Sequence, residues 1–125
     1  MQLHNNDGNV TVIIDVSFSD DVNTIKDFVL NEQCPFIQSK AEDGLIKFEW
    51  FIDEETKTGT LIEIFNDSIS WEKLADSVIG TPVNIKFNSI FIIEKMTVLG
   101  ELTDNLEEKL KAAGPMVKNY VGGIN

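Results

Sequence analysis

The sequence contains no arginine, one cysteine and one histidine in 125 residues. The ten cationic side chains are all lysines, and against 21 acidic residues they leave a net charge of −11 at pH 7. Nucleic acids and anionic membrane surfaces are bound through clustered Lys and Arg, so this charge argues against both partners. The lack of arginine also excludes a bidentate guanidinium clamp for a carboxylate or phosphate ligand.

The single cysteine, Cys34, excludes an intramolecular disulfide. One Cys and one His are too few for a Cys/His zinc site, and we expect no metal centre. No run approaches the roughly 18 apolar residues of a membrane span, and the polar first nine residues, which include Asp7, do not resemble a secretory signal. We therefore expect a cytoplasmic protein.

The sequence is rich in apolar residues, which make up 42% of the chain and follow two kinds of spacing. Alternating patterns predict β-strands over residues 10–18, 45–52, 60–65 and 89–99. Helical spacing predicts helices over about 21–32, 71–78, 83–88 and 103–113. We expect Pro35 to break or kink the first helix near Cys34. Asn66, Asn84 and Asn88 lie at the ends of elements, where we expect caps rather than oxyanion donors.

The order strand, helix, strand, strand, helix, strand is the βαββαβ unit of a ferredoxin-like α+β fold. It predicts a four-stranded antiparallel sheet followed by a C-terminal helix. The length suits a single domain over 1–125, with its core at about 10–99 and the last helix and a tail at 100–125.

Both faces of the predicted sheet carry large apolar side chains. In the second strand, alternation places Ile46, Phe48, Trp50 and Ile52 on one face and Leu45 and Phe51 on the other. In the fourth strand, Ile90 and Ile92 share a face with Met96 and Val98, opposite Phe91 and Ile93. A second apolar face of this size is unfavourable in water, so we expect a homodimer with the two sheets packed face to face.

Three stretches resemble the antibiotic-biosynthesis monooxygenase-like family. They are Leu-Ile-Lys-Phe-Glu-Trp-Phe over 45–51, Gly-Thr-Leu-Ile-Glu-Ile-Phe over 59–65, and Asp67-Ser68 with Trp71. The resemblance implies a dimeric α+β barrel. It also implies either cofactor-independent oxygenation of quinol-like or polyketide-like aromatics or haem degradation. Residues 71–80 lack the histidine with which the haem-degrading branch binds iron, so haem degradation is disfavoured.

Two glutamates are the candidate catalytic residues. Glu63 and Glu94 lie among apolar strand residues, where desolvation raises the pKa of a carboxylate and suits it to act as a base. The alternatives are a solvated position at the rim of the barrel or a polar contact in the dimer. Whether the two glutamates meet across neighbouring strands depends on a register that the sequence does not fix.

The candidate substrate-binding residues are aromatic: Trp71, Phe65, Phe87 and Trp50. The simpler interpretation of both tryptophans is a place in the core or the dimer interface. We expect Cys34 to act as a small buried hydrophobe and His4 to lie in a disordered segment.

Two functions remain open from the sequence. The first is a cofactor-independent monooxygenase acting on a small aromatic, whose own anion reduces oxygen. The second is a non-catalytic small-molecule-binding or dimerisation module of the same fold.

Overall fold

The computed structural model describes residues 1–6 and 8–125. Asp7, part of the argument against a signal segment, lies outside the described residues. In chain order the strands are β1 (Leu3–His4), β2 (Val10–Phe18), β3 (Leu45–Asp53), β4 (Thr58–Phe65), β5 (Phe91–Leu99), β6 (Met116–Lys118) and β7 (Gly123–Ile124). The helices are α1 (Val22–Asp27), α2 (Cys34–Lys40), α3 (Ser68–Val78), α4 (Pro82–Ile90) and α5 (Asp104–Leu110). A π-helical turn, Phe28–Gln33, joins α1 to α2, and a 3₁₀ turn, Lys111–Ala113, follows α5.

The main sheet has five strands in the order β3-β4-β2-β5-β6. The first four pair antiparallel, as the sequence predicts, but β6 pairs parallel with β5. The fold is therefore α+β with a mixed sheet, and the prediction of a four-stranded antiparallel sheet is wrong. The extra strand lies in the segment after Gly114, which we predicted to be a tail. The sequence does not reveal this strand, because it forms by pairing with β5, which is distant in the sequence.

The central strand β2 separates the two faces of the sheet. Its even-numbered residues are buried under the helices and its odd-numbered residues are only partly buried. The helix-side residues Val12, Val16 and Phe18 belong to one continuous core that includes Ile25, Phe28, Phe65, Val98 and Leu106. We call the opposite side of the sheet the outer face.

Two β-bulges shift the alternation that the sequence predicts. In β3 the register shifts between Leu45 and Lys47, so Leu45 faces the helices and Ile46 is exposed. In β5 the register skips Glu94, so Ile93 rather than Ile92 faces the helices. One extra residue reverses the alternation of side chains across a bulge. In β3 the prediction therefore misplaces Leu45 and Ile46, while Phe48, Trp50 and Ile52 share one face as predicted. In β5 it wrongly groups Ile92, rather than Ile93, with Met96 and Val98.

The helical segment is not broken at Pro35, but its backbone changes near Cys34 from a π-helical turn to the α-helix α2. A proline inside an α-helix lacks an N–H donor and clashes with the preceding turn. Here the backbone is π-helical up to Gln33, and Pro35 sits in the first turn of α2, where the missing donor has no cost. The π-helical turn before α2 thus allows the helical backbone to continue past Pro35.

Four of the described helices begin at side-chain caps, of which Asp21 caps α1 through the Asn23 N–H. Asp67 accepts a hydrogen bond from the Ser70 N–H, Thr81 from the Asn84 N–H, and Thr103 from the Leu106 N–H. These caps satisfy backbone donors that a helix start leaves without partners.

The two ends of the chain pair with each other. β1 and β7 form a two-stranded ribbon, in which His4 accepts a hydrogen bond from the Tyr120 hydroxyl at its backbone oxygen. The Asn125 amide lies 2.9 Å from His4 Nδ1. The prediction that His4 lies in a disordered segment is wrong. None of the described helices is long and apolar enough to cross a membrane.

Candidate functional site

A cavity of about 120 Å³ lies between the helix side of the sheet and the helices. The strands contribute Ile14, Phe48, Leu61 and Glu63, and the helical segments contribute Gln33, Ile37, Val78, Val83, Asn84 and Phe87. Seven of these ten side chains are apolar, so the three polar ones stand in a low-dielectric space. Such a space, with few polar groups, is typical of a small-molecule site.

Glu63 reaches this cavity because of its position in β4. It pairs with Val12 on one side and Phe48 on the other, and therefore shares the helix side of the sheet with both. Burial raises the pKa of Glu63 to about 7, because an apolar environment disfavours the charged carboxylate. Among residues 1–6 and 8–125, none donates a hydrogen bond to this carboxylate or pairs with it.

A carboxyl group with a pKa near neutrality has both protonation states well populated at pH 7. Glu63 can therefore take a proton from a bound molecule and return it in the same cavity. This fits the sequence-based prediction that Glu63 is in an environment suited to a base, and its assignment as a catalytic residue stays a prediction.

Gln33 is the polar residue of the cavity that the sequence analysis missed. It ends the π-helical turn, its side chain is only 6% exposed, and its Oε1 accepts a 2.7 Å hydrogen bond from the Trp50 indole Nε1. The only sequence signal was a glutamine within the otherwise amphipathic run before Pro35, and glutamine there is ordinarily a solvated residue.

Asn84 supplies the third polar group. Its Oδ1 accepts a 3.1 Å hydrogen bond from the backbone N–H of Gly80, and its own N–H donates to Thr81. The N-cap of α4 is Thr81, so Asn84 is not the cap residue that the sequence predicts, although its oxygen binds a backbone N–H at the same end of the helix. Gly80 has a positive φ of 83°, so the Asn84 side chain also holds the turn between α3 and α4 in place.

Glu94 lies away from this cavity. The Ser17 hydroxyl donates a 2.6 Å hydrogen bond to Glu94 Oε1, and Ser17 belongs to the outer face. Glu63 and Glu94 are therefore on opposite sides of the sheet, and the two predicted catalytic carboxylates do not meet. The cause is the bulge at Glu94, which alternation in the sequence does not reveal.

The four predicted aromatic residues fall into two groups. Phe87 lines the cavity, and Trp50 packs beside it with ring centroids 6.2 Å apart and hydrogen bonds Gln33. Phe65 and Trp71 stack on each other at 6.0 Å, are almost fully buried and do not line the cavity. Their packing fits the simpler interpretation as core residues.

An open groove of about 570 Å³ adjoins the cavity along α2 and β3. Ile37 and Phe48 line both spaces and form the wall between them. Cys34 lines the groove, and burial raises the pKa of its thiol, which favours the unreactive protonated form.

The part of the chain that the structure describes contains no group of three or more His, Cys, Asp or Glu residues placed to hold a metal ion.

No protein-family model and no curated protein sequence matches this chain. Solved structures do match. MupZ from Pseudomonas fluorescens aligns with a TM-score of 0.75 and 14% identity over 94% of each chain. SnoaB from Streptomyces nogalater, a cofactor-independent oxygenase, aligns with a TM-score of 0.57 and 8% identity, covering 77% of this chain and 95% of SnoaB.

A third match is Rv0793 from Mycobacterium tuberculosis, with a TM-score of 0.51 and 16% identity over 78% of this chain and 98% of that one. The resemblance to the antibiotic-biosynthesis monooxygenase-like family is thus confirmed at the level of the fold. Identities this low establish a shared fold alone.

Proposed function

We propose that the cavity binds a small aromatic substrate and that Glu63 removes a proton from it. The observation that carries this proposal is a carboxylate in a largely apolar cavity, with its pKa raised to about 7 by burial. A base with a pKa near the ambient pH is ionised in a useful fraction and still holds a proton well. Glu63 is therefore suited to a weakly acidic substrate.

The proposed reaction is a cofactor-independent monooxygenation, which is supported by the fold shared with the oxygenase SnoaB. Loss of a proton to Glu63 converts a substrate RH2 into its anion. The anion reduces dioxygen, a C–O bond forms, and the resulting peroxide takes the proton from Glu63 and loses water. The balance is RH2 + O2 → RO + H2O, and the electrons that reduce oxygen all come from the substrate.

The size of the cavity limits what lies beside Glu63. An apolar cavity of about 150 Å³ binds benzene in another protein, and the cavity here measures about 120 Å³. One aromatic ring is therefore the expected occupant, and the rest of a quinol-like or polyketide-like molecule would extend towards the groove beyond Ile37 and Phe48.

A second candidate function is binding of a small molecule without catalysis. The cavity of about 120 Å³ is smaller than the roughly 300–1,000 Å³ of most ligand sites, which leaves little room for dioxygen beside a bound ring. In that case Glu63 would select a ligand that donates a hydrogen bond.

We also propose that two copies of the chain pack through their outer faces. Phe51, Ile92 and Leu99 are exposed on this face, and a second copy is the partner whose apolar face matches by symmetry. Sedimentation equilibrium should give twice the mass of the chain, and Ile92→Asp should weaken the dimer. Ile69→Asp, a change at an exposed isoleucine of α3, should leave it intact; a monomeric wild type would reject the proposal.

Oxygen uptake with a panel of single-ring hydroquinones tests the enzymatic proposal. Uptake is measured above the background rate without protein. Glu63→Gln should lower it at least 100-fold relative to the wild type, the usual contribution of a general base. Tryptophan fluorescence should still report binding of the hydroquinone to this variant. Glu49→Gln removes a carboxylate from the exposed side of β3 and should leave uptake unchanged. Binding without uptake would favour the non-catalytic alternative, and absence of binding would reject both.

A further inference from the structure

We propose that the side-chain amides of Gln33 and Asn84 form an oxyanion hole in the cavity that holds Glu63, and that the aromatic substrate reacts there in its keto form, as an enolisable ketone. This inference rests on the proposed function of the cavity and names the chemical class of its substrate. Both residues line the cavity with Glu63 and belong to different elements, the π-helical turn and α4.

The hydrogen bond to Trp50 fixes the orientation of the Gln33 amide. An indole N–H is a donor only, so the atom that it meets at 2.7 Å is the Gln33 oxygen. The amide nitrogen therefore presents its two donors elsewhere, and no described residue accepts them. No buried side-chain nitrogen or oxygen among the described residues lacks a partner, so this nitrogen is not sealed in the core. Because Gln33 lines the cavity, we infer that its NH2 group opens onto that space.

The same argument fixes the Asn84 amide. A backbone N–H is also a donor only, so the Gly80 N–H at 3.1 Å binds the Asn84 oxygen. The Asn84 nitrogen then keeps both of its donors, and within residues 1–6 and 8–125 they have no acceptor. Two amide oxygens held by fixed donors thus leave two NH2 groups beside the same apolar space.

These groups call for a ligand with complementary chemistry. The amides require an acceptor oxygen, and the Glu63 carboxylate requires an acidic proton close to that oxygen. A ketone with a C–H bond next to its carbonyl group supplies both. Both NH2 groups have no acceptor among the described residues, so a bound acceptor oxygen can take their hydrogen bonds.

The step balances without any added reactant. The Glu63 carboxylate takes the α-proton, and the electron pair of the C–H bond forms the C=C bond. The π pair of the carbonyl group moves to its oxygen, where the N–H groups of Gln33 and Asn84 stabilise the negative charge. Fixed donors that meet an oxyanion stabilise it more than they stabilise the neutral carbonyl. Return of the proton regenerates the ketone.

Deuterium exchange of the α-protons of cyclohexanone in D2O, followed by NMR without oxygen, tests this proposal. Gln33→Glu and Asn84→Asp each keep the oxygen that accepts the fixed hydrogen bond and lose the NH2 donors. Each should slow exchange at least 10-fold, as expected for loss of a hydrogen bond to a charged oxygen. Asn105→Asp makes the same amide-to-carboxylate change at an exposed position of α5 and should leave exchange unchanged.

A second variant avoids the added charge and the risk of misfolding. Gln33→Met combined with Trp50→Phe removes both partners of the 2.7 Å hydrogen bond and leaves neither unpaired. It should slow exchange at least 10-fold relative to Trp50→Phe alone. Thermal melting of each variant confirms that the fold persists.

The probe 4-nitrophenol adds a spectroscopic readout, since its anion imitates an enolate and absorbs at longer wavelength than the neutral phenol. Bound to the wild type at a pH where the free phenol is protonated, it should show the band of the anion. The band should fall at least 10-fold in Gln33→Glu and Asn84→Asp.

Wild type without α-proton exchange, or exchange and the anion band unaffected by these variants, would overturn the proposal. Exchange that depends on Gln33 and Asn84, in a protein that consumes no oxygen, would uphold this inference and reject the oxygenase. Oxygen uptake that ignores both amides would do the reverse.

Discussion

Replacement of Glu63 by glutamine should stabilise the folded protein at alkaline pH and leave its stability unchanged at acidic pH. The folded-state pKa of Glu63 is about 7, against 4.5 for an unperturbed glutamate. Below pH 4.5 the carboxyl group is protonated in both the folded and the unfolded chain, so its ionisation contributes nothing. Between pH 4.5 and 7 the unfolded chain loses the proton first, and the folded state is progressively destabilised relative to it.

The size of the effect follows from the two pKa values. They differ by about 2.5, and each pKa unit corresponds to about 1.4 kcal/mol. Ionisation of a fully buried carboxyl group would therefore lower the unfolding free energy of the protein by about 3 kcal/mol above pH 7. Glu63 is partly open to the cavity, and water there reduces the loss to about 2 kcal/mol. Such a loss is a large part of the roughly 5–15 kcal/mol that stabilises a typical domain.

Urea unfolding of the wild type and Glu63→Gln at pH 4 and pH 8 measures this difference. The gain in unfolding free energy should be near zero at pH 4 and about 2 kcal/mol at pH 8, with the same urea dependence in both proteins. Glu108→Gln, at an exposed position on α5, should show no such change with pH. A gain for Glu63→Gln that is equal at both pH values would refute the argument from burial.

Three further predictions concern the scaffold around the cavity. Trp50→Phe removes the indole donor to Gln33 and should lower the unfolding free energy by about 1–2 kcal/mol in urea titrations. Asp67→Ala removes the cap of α3 and should cost about 1 kcal/mol. Capping lowers the pKa of Asp67, so this contribution should be lost as pH falls through the folded pKa. Gly44→Ala should destabilise the fold, because a Cβ there overlaps the Ser70 side chain, and Ser70→Gly in the same chain should restore part of the loss in a thermal melt.

Each of these predictions has a matched control. Trp71→Phe keeps the ring in a stacked site and removes no hydrogen bond, so a cost equal to that of Trp50→Phe would reject the assigned role of the Gln33 bond. Asp67→Asn keeps an oxygen that can cap the helix and should cost much less than Asp67→Ala. Gly122→Ala meets no atom within 4 Å and should be neutral.

The sequence predicts those elements whose signal is local. Strand β2 has the predicted bounds because its alternation is uninterrupted, and α4 begins at Thr81-Pro82 because cap and proline are adjacent. The sequence misplaces Leu45 and Ile46 in β3 and Ile92 and Ile93 in β5, because a bulge depends on how a partner strand pairs. The pairing of β6 with β5 is equally non-local.

The sequence likewise predicts some residues of the candidate site and misses others. Glu63 was found because its neighbours Leu61 and Phe65 mark the buried side of its strand. Gln33 was missed because its meaning depends on Trp50, which lies 17 residues further along the chain and on another element. A polar residue on a helix indicates a site only when the structure shows what holds its side chain.

The two margins of the main sheet restrict how this protein can associate. Beyond β5, the sheet stops at the three-residue strand β6, which follows Pro115, a residue with no N–H to offer a further strand. The opposite margin, β3, is interrupted at Ile46 and carries the charged Lys47 and Glu49. Short, interrupted and charged margins oppose the addition of a strand from another molecule. Growth into fibres by addition of strands is therefore unfavourable. A damaged or shortened copy that loses β6 would expose the backbone of β5, to which a strand of another molecule could then be added.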